Sequence, residues 1–128
     1  MRGLARKDGA AVLISACLLG LPTRYNGKVL ENVLLPENLE GCVFIPICPE
    51  QLGGLPTPRP RQELKGGSGR EVLEGKARVV NEEGLDVTDR FLRAAEAVCE
   101  IAKLVGARKA YLKEGSPSCG VSRVIVDG

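Results

Sequence analysis

The stretch AAVLISAC, residues 10–17, decides how the rest of the chain is read. Its apolar run is too short for a helix of ordinary length and shows no alternation. That pattern suits a strand covered on both faces, as in a parallel sheet. It ends at Cys17. VFIPIC, residues 43–48, repeats the arrangement: a second buried strand with Pro46 near its end runs directly into Cys48. KAYL, residues 109–112, gives a third strand, which leads into the loop GSPSCG and Cys119. Between the second and third strands lies the clearest helix, starting near Thr88 and stopping before Gly106. Phe91, Ala95, Val98, Ala102 and Val105 recur at three- and four-residue steps on one face, and Gly106 suits the C′ position. Strands alternating with helix predict a doubly wound α/β arrangement with a mostly parallel sheet.

The remaining segments are less regular. Asn26-Gly27 marks a turn, and residues 30–40 read as a weak helix interrupted at Pro36. Residues 49–69 are rich in Pro and Gly and read as a functional or mobile loop. Within and just beyond that stretch, LKGGSGR (residues 64–70) lacks the lysine spacing of a phosphate loop and reads as a flexible linker. Residues 77–80 and 85–87, separated by Asn-Glu-Glu-Gly, suggest a hairpin-like excursion. There is no internal repeat and no sign of a second domain.

Composition narrows the function. The chain has 128 residues, 44% of them hydrophobic and 3% aromatic, enough for one domain with an aliphatic core. It has no apolar run long enough to span a membrane. Residues 1–9 are basic (Arg2, Arg6, Lys7) without the apolar stretch of a signal peptide, so they read as a solvated tail before a domain at residues 10–128, and a cytoplasmic location is expected. A net charge of +2 with dispersed basic residues gives little footprint for nucleic acid. Histidine is absent. That removes Ser-His-Asp and Cys-His mechanisms and every histidine metal ligand, and leaves proton transfer to carboxylates and hydroxyls.

Five cysteines, an odd number, in a chain expected in a reducing compartment are more naturally thiols or ligands than disulfides. Cys17, Cys48 and Cys119 each follow a predicted strand. In open α/β sheets ligands bind beyond the carboxyl ends of the strands, so these three are expected to converge. Cys42 and Cys99 fall inside predicted elements and read as small core residues. Three thiolates suit zinc, which in catalytic sites takes three protein ligands and a water, or an iron–sulfur cluster with one iron left open.

ISACLLG (residues 14–20) with RYNGK (24–28), PICPEQLGGLPTPRP (46–60), DVT (86–88) and LKEGSPSCG (112–120) resemble, in that order, the bacterial and archaeal family known as domain of unknown function 523, which includes thiouracil desulfidases. The resemblance covers residues 10–128. It implies a Rossmann-like α/β domain holding a [4Fe–4S] cluster through Cys17, Cys48 and Cys119. It further implies that a thiocarbonyl sulfur meets the open iron while water replaces sulfur at carbon, releasing sulfide without net redox change. Family members usually continue beyond VIVDG, residues 124–128, through another loop and a helix, a segment expected to be missing here; if it covers the sheet or closes the pocket, this chain is expected to be less stable or to lack part of its substrate site.

Within that reading Glu50, two residues after Cys48, is placed to activate water or relay a proton. Ser116 is a second catalytic candidate. Tyr25, Arg59 and Ser118 are candidates to bind substrate; Arg24 and Lys113 are candidates to line the pocket or to offset negative charge. Each also has an ordinary reading, as a turn residue or a solvated loop charge. The expected activity is hydrolytic removal of sulfur from a small thiolated nucleobase such as 2-thiouracil. Two other classes fit the same cysteines: a non-catalytic metal-binding or sulfur-transfer module, and a cluster-free thiol enzyme.

Overall fold

A computed structural model of the chain describes residues 9–31, 39 and 41–120. In chain order it runs β1 (Ala11–Ser15), a 3-10 turn (Ala16–Leu19), β2 (Val43–Ile47), α1 (Pro49–Leu52), β3 (Gln62–Lys65), α2 (Gly69–Leu73), β4 (Arg78–Asn81), α3 (Thr88–Val105) and β5 (Ala110–Tyr111). The main sheet is parallel, in the order β2-β1-β5. β1 is central and therefore buried on both faces: Val12 and Leu13 are 3% exposed and Ile14 is fully buried. Each such side chain contributes about 1.5–3 kcal/mol by leaving water. This is the reading that the unalternating apolar run called for.

β2 differs from expectation. Only Ile47 is buried, because β2 is an edge strand among the described residues. The edge also explains Pro46. It is paired in register with Ile14, and Val43 donates its N–H to Ala10, so residues 43, 45 and 47 face β1. Pro46, of the opposite parity, places its missing donor on the outer side, where no ladder bond is lost.

Residues 49–69 are not a plain loop. They hold α1 and β3, and β3 pairs antiparallel with β4 in a second, two-stranded sheet. Leu64 on β3 is 1% exposed and joins Val72, Val79 and Val87 in a separate apolar cluster, against which Phe91 and Leu92 of α3 pack. A single buried leucine in QELK gives little alternation to read. The expected excursion at 77–87 is present as well: Val80 bridges Asp86, and Val87 donates to the Val79 carbonyl. The GGSG stretch is likewise no linker. Gly66 turns the chain at φ 87°, and Ser68 caps α2. Glu71 reaches back to accept from the Ser68 backbone N–H at 2.8 Å and its hydroxyl at 2.9 Å.

The long helix lies where periodicity placed it and ends at Gly106 in the left-handed conformation, φ 68°. Its buried residue is Ala94, whereas Ala95 and Val105 are exposed. The contact made by α1 accounts for the rotation. Gly53, just after α1, lies so close to α3 that a Cβ there would collide with the Arg90 carbonyl oxygen and touch Ala94. The stripe that matters is the one offering small residues. Cys99 is exposed and Cys42 half-buried, so neither is the core residue expected from its place in an element. The weak helix read at 30–40 falls largely outside the described residues, as do residues 1–8 and 124–128.

No described helix is long and apolar enough to cross a membrane.

Candidate active site

β1 and β2 end in step, Ser15 opposite Ile47. The chain then leaves both strands on the same side of the sheet. Cys17 follows in the 3-10 turn and Cys48 becomes the cap of α1. The segment after β5 is tied to this rim by the Lys113 N–H, which donates to Ser15 Oγ at 2.9 Å. Cys17, Cys48 and Cys119 consequently line one cavity of about 690 Å³, together with Glu50, Ser116, Ser118, Tyr25 and Arg59. Arg24 and Lys113 are also on its wall. That volume falls in the usual range for a small-molecule site.

Electrostatics link the thiols. Burial, followed by the nearby Cys119 and Cys48, pushes the Cys17 thiol above its ordinary value, while Lys113 and Arg24 oppose the rise. Burial also raises Cys119, opposed first by a hydrogen bond from the Ser15 hydroxyl that favours its anion, and Glu50 adds to the rise. A Cys17 thiolate beside two further sulfurs would be favoured by positive charge placed among them. Among the described residues, no three His, Cys, Asp or Glu side chains are close enough together to hold a single metal ion.

Beside the thiols is a buried polar pair. Glu50 is 7% exposed and Arg59 8%, and Arg59 Nε donates to Glu50 Oε1 at 2.8 Å. Ser118 Oγ donates to the other carboxylate oxygen, Oε2, at 2.9 Å. A hydroxyl has one hydrogen. With that hydrogen on Glu50, Ser116 must be the donor in the 3.2 Å contact between the two serine hydroxyls. Ser116 Oγ also accepts the backbone N–H groups of Ser118 and Cys119, both at 3.2 Å. Ser116 therefore shapes the Cys119 loop, and Ser118 is the serine that touches Glu50.

The remaining candidates are brought to the same wall. The Tyr25 ring lies under the Arg61 guanidinium, 5.9 Å from centroid to Cζ. Lys113 Nζ binds the Glu114 carbonyl at 2.8 Å. Ser15 escaped sequence reasoning. Its signal was a lone polar residue at the end of an apolar run, and its hydroxyl both anchors Lys113 and supports Cys119. Thr23 and Thr57 were missed as well, because a threonine in a loop carries no distinguishing pattern.

Comparison with known proteins follows this geometry. The family model described as 2-thiouracil desulfurase matches residues 12–128. The chain belongs to the 2-thiouracil desulfurase family. One relative, the uncharacterized protein YbbK of Bacillus subtilis, is 39% identical over 109 residues, 85% of this chain and 72% of its own length. A solved structure, that of the [4Fe-4S]-dependent thiouracil desulfidase TudS, superposes with a TM-score of 0.70 at 40% identity, covering 90% of this chain and 71% of that one. The α/β fold is thus that of a thiouracil desulfidase structure, and the DVT stretch, part of the family resemblance, is a structural joint here. Asp86 Oδ1 accepts the Thr88 N–H at 2.9 Å, and Thr88 Oγ1 accepts the Val79 N–H at 2.9 Å. Together they fix the start of α3 against β4.

Proposed function

We propose that this protein removes sulfur from a thiolated nucleobase such as 2-thiouracil, using a [4Fe–4S] cluster held by Cys17, Cys48 and Cys119. The observation that carries the reading is the placement of three strand-end thiols and the hydrogen-bonded Glu50–Ser118 pair on one cavity wall. The donor set supports the cluster. Three thiols line one cavity and no histidine is available, a donor set that suits an iron–sulfur cluster. When bound, the cluster supplies an iron with a free coordination position, a Lewis acid suited to a soft sulfur donor.

The chain's own residues supply the rest. Glu50 has one lone pair on each oxygen occupied, by Arg59 and by Ser118, and capacity left to take a proton from water. The water oxygen bonds to the thiocarbonyl carbon, the carbon–sulfur bond breaks, and sulfur leaves as hydrosulfide. No electrons are exchanged. Ser118, hydrogen-bonded to both Glu50 and Ser116, orients the carboxylate and offers a path for the proton. Tyr25 supplies a flat face for a planar heterocycle.

The test is anaerobic reconstitution with iron and sulfide, followed by assay of sulfide release from 2-thiouracil. The expected result is stoichiometric uracil and sulfide. Bound zinc without acid-labile sulfide, or cluster without turnover, would favour a metal-binding or sulfur-transfer module. Full activity of colourless, air-purified protein would favour a thiol enzyme.

A further inference from the structure

Arg59 lies on the cavity wall, where a cation would be expected to meet substrate, yet its hydrogen bonds go elsewhere. A guanidinium has five N–H donors. Nε goes to Glu50 Oε1 at 2.8 Å; Nη1 goes to the Pro56 carbonyl at 3.2 Å and to Thr57 Oγ1 at 2.7 Å; Nη2 goes to the Thr23 carbonyl at 3.0 Å and to Cys48 Sγ at 3.9 Å. Every donor has a protein acceptor. The side chain is 3% exposed, and its backbone N–H is also taken, by the Tyr25 carbonyl at 2.8 Å. These acceptors belong to the loop after the 3-10 turn, the cap of α1, α1 itself and the loop that follows it. One planar group therefore sets the relative position of the proposed base, a proposed ligand sulfur and the chain beside Tyr25.

We infer that Arg59 is a positioning residue, which orients Glu50 and donates to the Cys48 sulfur and makes no contact with substrate. The inference rests on the desulfidase reading above. Lysine is no substitute, because an ammonium carries the charge on one atom and has three donors in place of a five-donor fork. Partners behind a ligand or a catalytic group are typically worth about 10–100-fold in activity. A donor removed from a ligating sulfur also makes a cluster harder to reduce.

The experiment compares anaerobically reconstituted wild type with Arg59→Gln and Arg59→Lys. The expected result for both variants is a kcat for 2-thiouracil lower by about 10–100-fold with KM unchanged, together with a more negative cluster reduction potential. Thr57→Val removes one acceptor while leaving Arg59 in place, and serves where the Arg59 variants do not fold. It is expected to lower kcat by about threefold at constant KM, a fraction of the loss of the whole fork. A KM raised about tenfold or more with kcat kept would mean that Arg59 binds substrate and would overturn the inference. So would variants, Thr57→Val standing in for any that do not fold, that match wild type in both kcat and potential. A wild type that takes up no cluster, or takes one up without releasing sulfide, would instead end the desulfidase reading itself. Where that wild type does hold a cluster, a shifted potential in the variants would leave the Arg59–Cys48 contact standing.

Discussion

Glu50 and Ser118 are 68 residues apart in the chain and meet because β2 and β5 deliver their loops to one rim. The sequence made Glu50 legible, since a carboxylate two residues after a strand-end cysteine is conspicuous in a chain without histidine. It did not make the serines legible: Ser116 and Ser118 sit in one small loop, and only their partners separate them. Removing the proposed base is expected to cost about 100-fold or more in kcat. Glu50→Gln should do this while keeping the cluster's visible absorbance, and unchanged turnover would take Glu50 out of the mechanism. Ser118→Ala should slow turnover with the cluster intact, whereas Ser116→Ala, which frees two backbone N–H groups beside Cys119, should lower iron content as well. Replacing Cys17, Cys48 or Cys119 by Ala should abolish the absorbance, and Cys42→Ala and Cys99→Ala should leave it. Iron and acid-labile sulfide analysis of all five variants checks this.

The long helix and the central strand could be read from the order of their residues, because burying one helix face leaves a period of three to four and burying both strand faces leaves an unbroken apolar run. α1, β3 and α2 could not. They have four or five residues each, are held by tertiary contacts and caps, and lie among the glycines and prolines that usually mark loops. Gly53 shows how tightly such a short element is set. Gly53→Ala would push α1 away from Arg90 and is expected to cost about 1–3 kcal/mol in urea unfolding. It should also lower cluster retention, since Cys48 caps the same helix. The caps carry a pH signature. The Ser68 backbone N–H and hydroxyl hold the Glu71 carboxyl below its ordinary 4.5; the side chain and N–H of Thr88 hold Asp86 below 3.8. A carboxyl lowered in the folded state favours folding only while ionised. Their contribution is therefore complete above about pH 5 and is lost as acid protonates them below their ordinary values. Urea midpoints for wild type and a Glu71→Ala, Asp86→Asn double variant should differ at pH 7 and draw together toward pH 3. A gap that persists in acid would count against this account.

In the molecule as a whole, parallel strands ending together place three distant thiols on one cavity, and that much could be inferred from strand-end cysteines. The arrangement of the carboxylate, the serines and Arg59 around them could not, since it depends on loops whose course only the folded chain defines. Burial and the neighbouring Cys119 and Cys48 raise the cost of charging Cys17, and a bound cluster would offset that cost, so cluster loading should stabilise the fold. Reconstituted protein should melt roughly 10 °C or more above the same protein stripped of iron by a chelator, since a ligand at about a thousand times its Kd adds about 4 kcal/mol. Coincident melting curves would show that the cluster does not bind the folded chain in preference to the unfolded one. Among the described residues, β2 also forms a border of the main sheet. With Pro46 lacking an N–H on the outer side of β2, a neighbouring molecule that tried to extend the sheet there would find a gap in the row of donors, and stacking of one protein's border on another's is discouraged at that point.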